Sequence, residues 1–250
     1  MLRIGVCLFL ATFVAAPLRA DEIDDFFKKV DSLRYSPVDH GLKDVKVEVK
    51  NSMYTAMMPN LKIFLYWKSP DKKTAKVEGL EGPAAAAGAQ MAKGMEALVG
   101  IIIPQPYHDM RADLDFVLEK DAEGVKVVAT PKPGNKMAQM FTKQTTWFGE
   151  NGLPTRLETE GKMPGHRTMK FLEKDGSFLL DSMDGEQTTP MSPQPVKQTL
   201  TMHYTQIEGI WLAESVDQEI GDRKITSTME GYEVNKGIDD SVFESKDGGK

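Results

Sequence analysis

From Asp113 to Val234 the chain alternates between strand-forming stretches and turn residues, and this rhythm restricts the fold more than any other feature. The stretches are Leu114 to Glu119, Gly124 to Thr130, Gln144 to Gly149, Pro154 to Glu160, Arg167 to Glu173 and Phe178 to Met183. Lys197 to Gln206, Ile210 to Ile220 and Lys224 to Val234 follow, the last three joined by Glu208-Gly209 and Gly221-Asp222. Strands at this spacing with short polar connections argue for one large antiparallel sheet or barrel. Two stretches, Trp147 to Phe171 and Tyr204 to Met229, repeat the order aromatic, Gly-containing turn, strand, connection, strand; two consecutive meanders account for this without gene duplication.

The first half adds an opening meander and two helices. Ile23, Phe26, Phe27, Val30 and Leu33 recur at helical spacing, with Asp24, Asp25, Lys28 and Lys29 on the other face, so residues 22–35 read as an amphipathic helix. Pro37 and Gly41 end it. In Leu42 to Lys50, Val45, Val47 and Val49 alternate with Lys46, Glu48 and Lys50, the period of a strand wet on one face. Leu61 to Lys68 and Thr74 to Gly79 complete the meander.

Between Pro83 and Pro104, Met91, Met95, Leu98, Val99 and Ile102 fall on one helical face with Lys93 and Glu96 opposite. This predicts a helix resting on apolar surface, with Ile101 to Ile103 as an extended strand at its end. Gly88, Gly94 and Gly100 each weaken it by about 1 kcal/mol relative to alanine. Both a fixed cover and a movable lid fit such a segment.

The expected fold is mainly β (α+β), a single large curled antiparallel sheet forming a half-open barrel with covering helices. Two helices cannot cover the concave apolar face of so long a sheet, and the space left can hold an apolar ligand. Strand alternation places Val45, Val47, Val49, Ile63, Leu65, Leu114, Phe116, Met169, Phe171, Leu200 and Met202 on that common interior. Met91, Met95 and Leu98 face it from the mid-chain helix, and these 14 residues are the candidate ligand-binding set. Of the 15 methionines, all but Met1 lie between Met53 and Met229. Methionine suits surfaces that adapt to variable apolar shapes, and it also serves as ordinary core filler.

At the N-terminus, Arg3 precedes an apolar run from Ile4 to Ala16, then Pro17 and a small residue, Ala20, before Asp21 and Glu22. This pattern reads as a secretory signal peptide, residues 1–20, cleaved near Ala20, which predicts a periplasmic protein whose residues 21–250 form a single domain. The run is shorter than the roughly 20 apolar residues of a membrane span. Cys7 lies within it rather than after it, so it is not a lipidation site, and cleavage removes the only cysteine. No disulfide or cysteine metal site is then expected. The net charge of -6 and the lack of a basic cluster argue against nucleic acid.

A search for catalytic chemistry finds no G-x-S-x-G elbow, H-E-x-x-H helix, Walker loop or dinucleotide fingerprint. His40, His108, His166 and His203 match no local metal motif, so no metal or cofactor is expected. His108-Asp109 has the form of a base with its orienter, but no nucleophile accompanies it. Asp239-Asp240 reads as a turn or cap before Val242 and Phe243.

Asn151-Gly152-Leu153-Pro154-Thr155-Arg156-Leu157 resembles the strand-turning G-L-P-x-x-(L/I) element of the LolA-like periplasmic lipoprotein-carrier superfamily. Gly231-Tyr232-Glu233-Val234-Asn235-Lys236-Gly237-Ile238-Asp239-Asp240-Ser241-Val242-Phe243 is similar to its closing Y-x-(V/I)-N-x-x-(I/L)-(D/P)-D-S-x-F segment. Trp67 to Pro70 and the two helices occur in matching order, so the resemblance covers most of residues 22–244. Ala213 departs from it, where proline often stands.

The resemblance implies a half-barrel that binds acyl chains of lipoproteins or another lipid in transit toward the outer membrane. Its implied partners are membrane-associated donor and acceptor proteins, and the carrier is expected to be a monomer. A lipid- or envelope-stress sensor of the same fold is the alternative reading, and an enzyme would need a polar constellation inside the concavity.

Overall fold

The computed structural model describes residues 20–80, 82, 84–121, 124–189 and 192–244; the expected signal peptide before Ala20 lies outside them. Helix α1, Ala20–Leu33, is the amphipathic opening segment. Strand β1, Asp44–Asn51, then forms a meander with β2, Lys62–Lys68, and β3, Lys72–Glu78. Val45 pairs with Trp67, Val47 with Leu65 and Val49 with Ile63, and all six are buried, as the alternation of Leu42 to Lys50 predicts.

A short helix, α2, Ser52–Met57, turns the chain between β1 and β2. Sequence periodicity did not reveal it, because it is only 6 residues long and its signal is one cap. The Asn51 carboxamide oxygen accepts from the backbone N–H groups of Met53 and Tyr54, at 3.2 and 3.4 Å. The Asn51 amide nitrogen donates to Ser227 Oγ at 2.9 Å, so this buried polar side chain is satisfied on both ends.

Helix α3, Ala84–Ile102, follows β3. The expected strand at Ile101 to Ile103 does not form: Ile101 and Ile102 finish the helix, and Ile103 N–H still donates to Val99 carbonyl at 2.8 Å. Packing overrides the β preference of three isoleucines here, since Ile102 and Ile103 are buried with Leu98 and Val99 against the sheet.

The remaining strands are β4, Leu114–Asp121; β5, Gly124–Pro131; β6, Lys143–Phe148; β7, Pro154–Glu160; and β8, Gly165–Lys174. They continue as β9, Ser177–Thr189; β10, Ser192–Ile207; β11, Ile210–Ile220; and β12, Arg223–Val234. All belong to one sheet of 12 strands in the order β3-β2-β1-β12-β11-β10-β9-β8-β7-β6-β5-β4, antiparallel throughout. Every neighbour is consecutive in sequence except β1 and β12.

The sheet is not closed; β3 and β4 are its two ends, and the chain passes from one to the other through α3. That connection must cross a face of the sheet, and the apolar stripe of α3 selects the concave one.

Buried side chains fall into three clusters instead of the single interior expected. The largest lies under α3 and contains Val45, Val47, Val49, Ile63, Leu65, Met95, Leu98, Leu200 and Met202, with Met91 packed at its border. The second joins Ile23, Phe27 and Val30 of α1 to Leu118, Val127 and Phe148. Leu114 belongs to a third, with Ala129 and Phe141, and Phe116 borders the second and third. Two helices seated over opposite ends of one curled face divide the apolar residues in this way.

Candidate ligand-binding groove

The strip of sheet between α1 and α3 is formed by β6 to β11, and it holds three adjoining cavities. The first, about 230 Å³, is roofed by Tyr35 and Pro37 after α1 and by Gly100, Ile101 and Ile102 at the end of α3. Its floor includes Met169, Phe171, Leu180 and Met183. Met183 and Ile101 also line the second cavity, about 200 Å³, beside Leu200 and Ile220. Arg167 lines both the second cavity and the third, which is about 410 Å³ and lined by Met137, Met140, Leu157 and Met163. Shared walls make the three one groove.

Strand pairing explains why these side chains converge. Met169 stands opposite Met183, and Met183 opposite Leu200, so one row of concave residues crosses β8, β9 and β10. A bulge between Lys170 and Phe171 sets Phe171 opposite Leu180. The next row toward the third cavity runs Leu157, Arg167, Gly185, Gln198 and Ile220.

Polar groups at the first cavity are engaged with the protein. Tyr204 hydroxyl donates to Leu180 carbonyl at 2.7 Å, Trp211 N–H donates to Tyr35 hydroxyl at 2.8 Å, and Trp211 Nε1 donates to Asp175 at 2.6 Å. Burial pushes the phenols of Tyr35, Tyr107 and Tyr204 above their ordinary value, so all three stay neutral at physiological pH. The Arg34 guanidinium lies over the Tyr107 ring, 5.0 Å from its centroid, at the rim. The walls that remain are sulfur, aromatic carbon and aliphatic carbon, a surface that excludes water and accepts apolar chains.

His108, one half of the base-and-orienter pair, lines none of these three cavities; it borders a further one, about 160 Å³, that shares Arg34, Tyr35 and Pro104 with the first. Its Nδ1 is 2.8 Å from Asp31 of α1 and its Nε2 is 3.2 Å from Asp109. Asp31 also accepts from the backbone N–H groups of Tyr107 and His108, at 2.8 and 3.3 Å. The cluster therefore clasps the end of α1 to the segment after α3. Among the described residues no group of three or more His, Cys, Asp or Glu is arranged to hold a metal, and no helix is long and apolar enough to cross a membrane.

Of the 14 candidate residues, Met169 and Phe171 line the first cavity, and Leu200 lines the second. Val45, Val47 and Leu65 border a small gap of about 10 Å³ beneath α3. Met95, Leu98, Val49, Ile63 and Met202 are packed in the core under that helix, with Met91 at its edge, while Leu114 and Phe116 lie at the far end. Sequence reasoning missed Met183, Ile101, Leu180 and Arg167. Met183 carried a signal, since it closes the strand expected over Phe178 to Met183; Arg167 carried none, because an arginine in an alternating strand reads as solvent-facing.

The two sequence elements with a family resemblance act as staples around the groove. Asn151 to Pro154 make the β6–β7 turn, with Gly152 at φ +81° and Asn151 Oδ1 accepting from Leu153 N–H at 3.1 Å. A Cβ on Gly152 would stand 3.1 Å from Leu33 Cδ1, so this turn seats the end of α1. Asn235 Oδ1 accepts from Lys43 N–H at 2.7 Å, and Tyr232 hydroxyl donates to Ala213 carbonyl at 2.5 Å. Asp239 caps the 3-10 turn Asp240–Phe243, as the sequence indicated.

Neither a family model nor a curated protein sequence matches the chain. Among solved structures it is similar to a "putative outer membrane lipoprotein-sorting protein domain" from Vibrio parahaemolyticus. The two share 11% identity with a TM-score of 0.38, over 90% of this chain and 97% of that one.

Proposed function

We propose that this protein is a periplasmic carrier that shelters the acyl chains of a lipoprotein or another lipid in its concave groove. The observation that carries the reading is the continuity of three cavities lined by Met169, Phe171, Met183 and Leu200 on one side and by Met137, Met140 and Met163 on the other. Flexible thioethers let such a wall fit chains of differing length and unsaturation. Burying an acyl chain contributes about 0.8 kcal/mol per methylene, so a long chain is held firmly without any specific polar contact. The residues 151–157 and 231–243, with their resemblance to the lipoprotein-carrier superfamily, favour the same reading, as does the export signal expected in residues 1–20.

Titration with a fluorescent fatty-acyl probe tests it. The wild-type protein should bind the probe saturably, and Met183→Asp, which places a carboxylate where the first two cavities meet, should weaken binding about tenfold or more. No binding by the wild type, or equal binding by Met183→Asp, would exclude the groove as an acyl site. Recovery of periplasmic protein beginning at Asp21 tests the export part of the reading.

A further inference from the structure

Arg34 at the rim of the first cavity lies against the Tyr107 ring, but Arg167, deeper along the groove, is a feature that an apolar cargo leaves unexplained. Its guanidinium lines two of the three cavities and is half-buried on the concave face of β8. Among the described residues no carboxylate pairs with it: Nη2 donates to Gln187 Oε1 and, at 3.4 Å, to Gln198 Oε1. Gly185 lies between Arg167 and Gln198 in the cross-strand row, so the guanidinium reaches across a position that has no side chain. The other polar side chains on these cavity walls are neutral, Gln144 and Gln218 among them. Burial draws the guanidinium pKa down from its ordinary value, the mark of a cation held away from water without a compensating anion.

A cation kept in this way is costly unless something of opposite charge completes it. Along β8, Arg167, Met169 and Phe171 follow one another on the concave face, so the strand presents a cationic position and then an apolar floor. We infer that the groove takes an anionic amphiphile, whose oxyanion head, a carboxylate or phosphate, pairs with Arg167 between Gln187 and Gln198 while its acyl tail runs over Met169, Phe171 and Met183. A planar guanidinium suits either head through paired N–H donors, and the flanking glutamines can turn their amide N–H groups toward the same oxygens. The inference rests on the carrier reading and adds the charge of the cargo.

The test compares ligands with one tail and different heads: hexadecanoate, hexadecyl phosphate and hexadecanol, each displacing a fluorescent acyl probe below its critical micelle concentration, with inorganic phosphate as a tail-free control. Wild type should prefer each anionic ligand over the alcohol by about tenfold or more, as expected for a charge-assisted hydrogen bond. Arg167→Gln should bring that ratio close to one, and Arg167→Lys should recover part of it. Inorganic phosphate should not displace the probe. Equal binding of acid and alcohol by wild type would overturn the inference while leaving the carrier reading standing, and needs no folded variant. Failure of all three amphiphiles would overturn both. Displacement by inorganic phosphate alone would overturn the amphiphile and leave a plain anion site.

Discussion

His108 and Asp31 join two segments that flank the groove, and their contact is titratable. The hydrogen bond to the Asp31 carboxylate holds the His108 pKa above its ordinary 6.5; Asp109 adds to the rise, while partial burial and Lys28 oppose it. A histidine whose folded pKa is raised stabilises the fold most when protonated in both states, and that contribution is lost as pH climbs through the folded value. The stability difference between wild type and His108→Gln should therefore be largest below the ordinary histidine value of 6.5 and fade as pH rises through the raised folded value. Thermal melts at a series of pH values measure it, and a difference that grows with pH would contradict the assignment.

Sequence reading at this scale succeeded where a residue's period set its face, as with Val45, Val47 and Val49. It failed at Asp31, whose three partners, Tyr107, His108 and the ring Nδ1, lie more than seventy positions away.

At the scale of elements, α1 and α3 cover the same face by different means. Phe27 is fully buried, stacked on Tyr107 at 5.6 Å and edge-on to Phe116 at 4.9 Å, while Phe26 meets Phe148 edge-on at 4.9 Å. Such an aromatic anchor fixes α1, and Phe27→Ala should cost about 3–5 kcal/mol in chemical denaturation. Helix α3 is held by aliphatic side chains and interrupted by glycines of unlike character. Gly88 is buried where an added Cβ would stand 3.1 Å from Leu80 Cδ1, so its smallness lets α3 approach β3. Around Gly94 nothing lies within 4 Å of such an atom, so Gly94→Ala should stabilise the protein by about 1 kcal/mol, seen as a higher Tm.

The helical stripe of residues 91–102 was legible because helix and sheet periods differ. The end of the helix was not, since three consecutive isoleucines suit a strand until their packing against β1 and β2 is known. The turn chemistry of Glu208-Gly209 and Gly221-Asp222 gave β11, β12 and the end of β10 almost to the residue, whereas β9 and the start of β10 run well beyond their apolar centres into polar sequence that only pairing reveals.

Across the whole molecule, the sheet order was implicit in the run of short connections, but the pairing of β1 with β12 was not, because no local signal joins residues so far apart in sequence. That pairing leaves β3 and β4 as ends and, among the described residues, makes α3 the α-helix spanning the sequence between them. The first cavity, at about 230 Å³, is smaller than the roughly 300–1,000 Å³ typical of sites that enclose an organic ligand. Its roof is the last turn of α3, so a long chain fills it only if that turn lifts or if the chain continues into the neighbouring cavities.

The glycines of α3 and its seat on an end of the sheet make its opening free energy low compared with that of the central strands. Hydrogen exchange should therefore find the amides of α3 exchanging well before those of β11 and β12, and an acyl probe should slow them selectively. In the same measurement Gly94→Ala should exchange more slowly, and in stopped flow it should take up the probe more slowly while binding it no less tightly at equilibrium. Exchange of α3 as slow as that of β11, with uptake unaffected by Gly94→Ala, would make the helix a fixed cover and require the cargo to thread along the groove from its methionine-lined end.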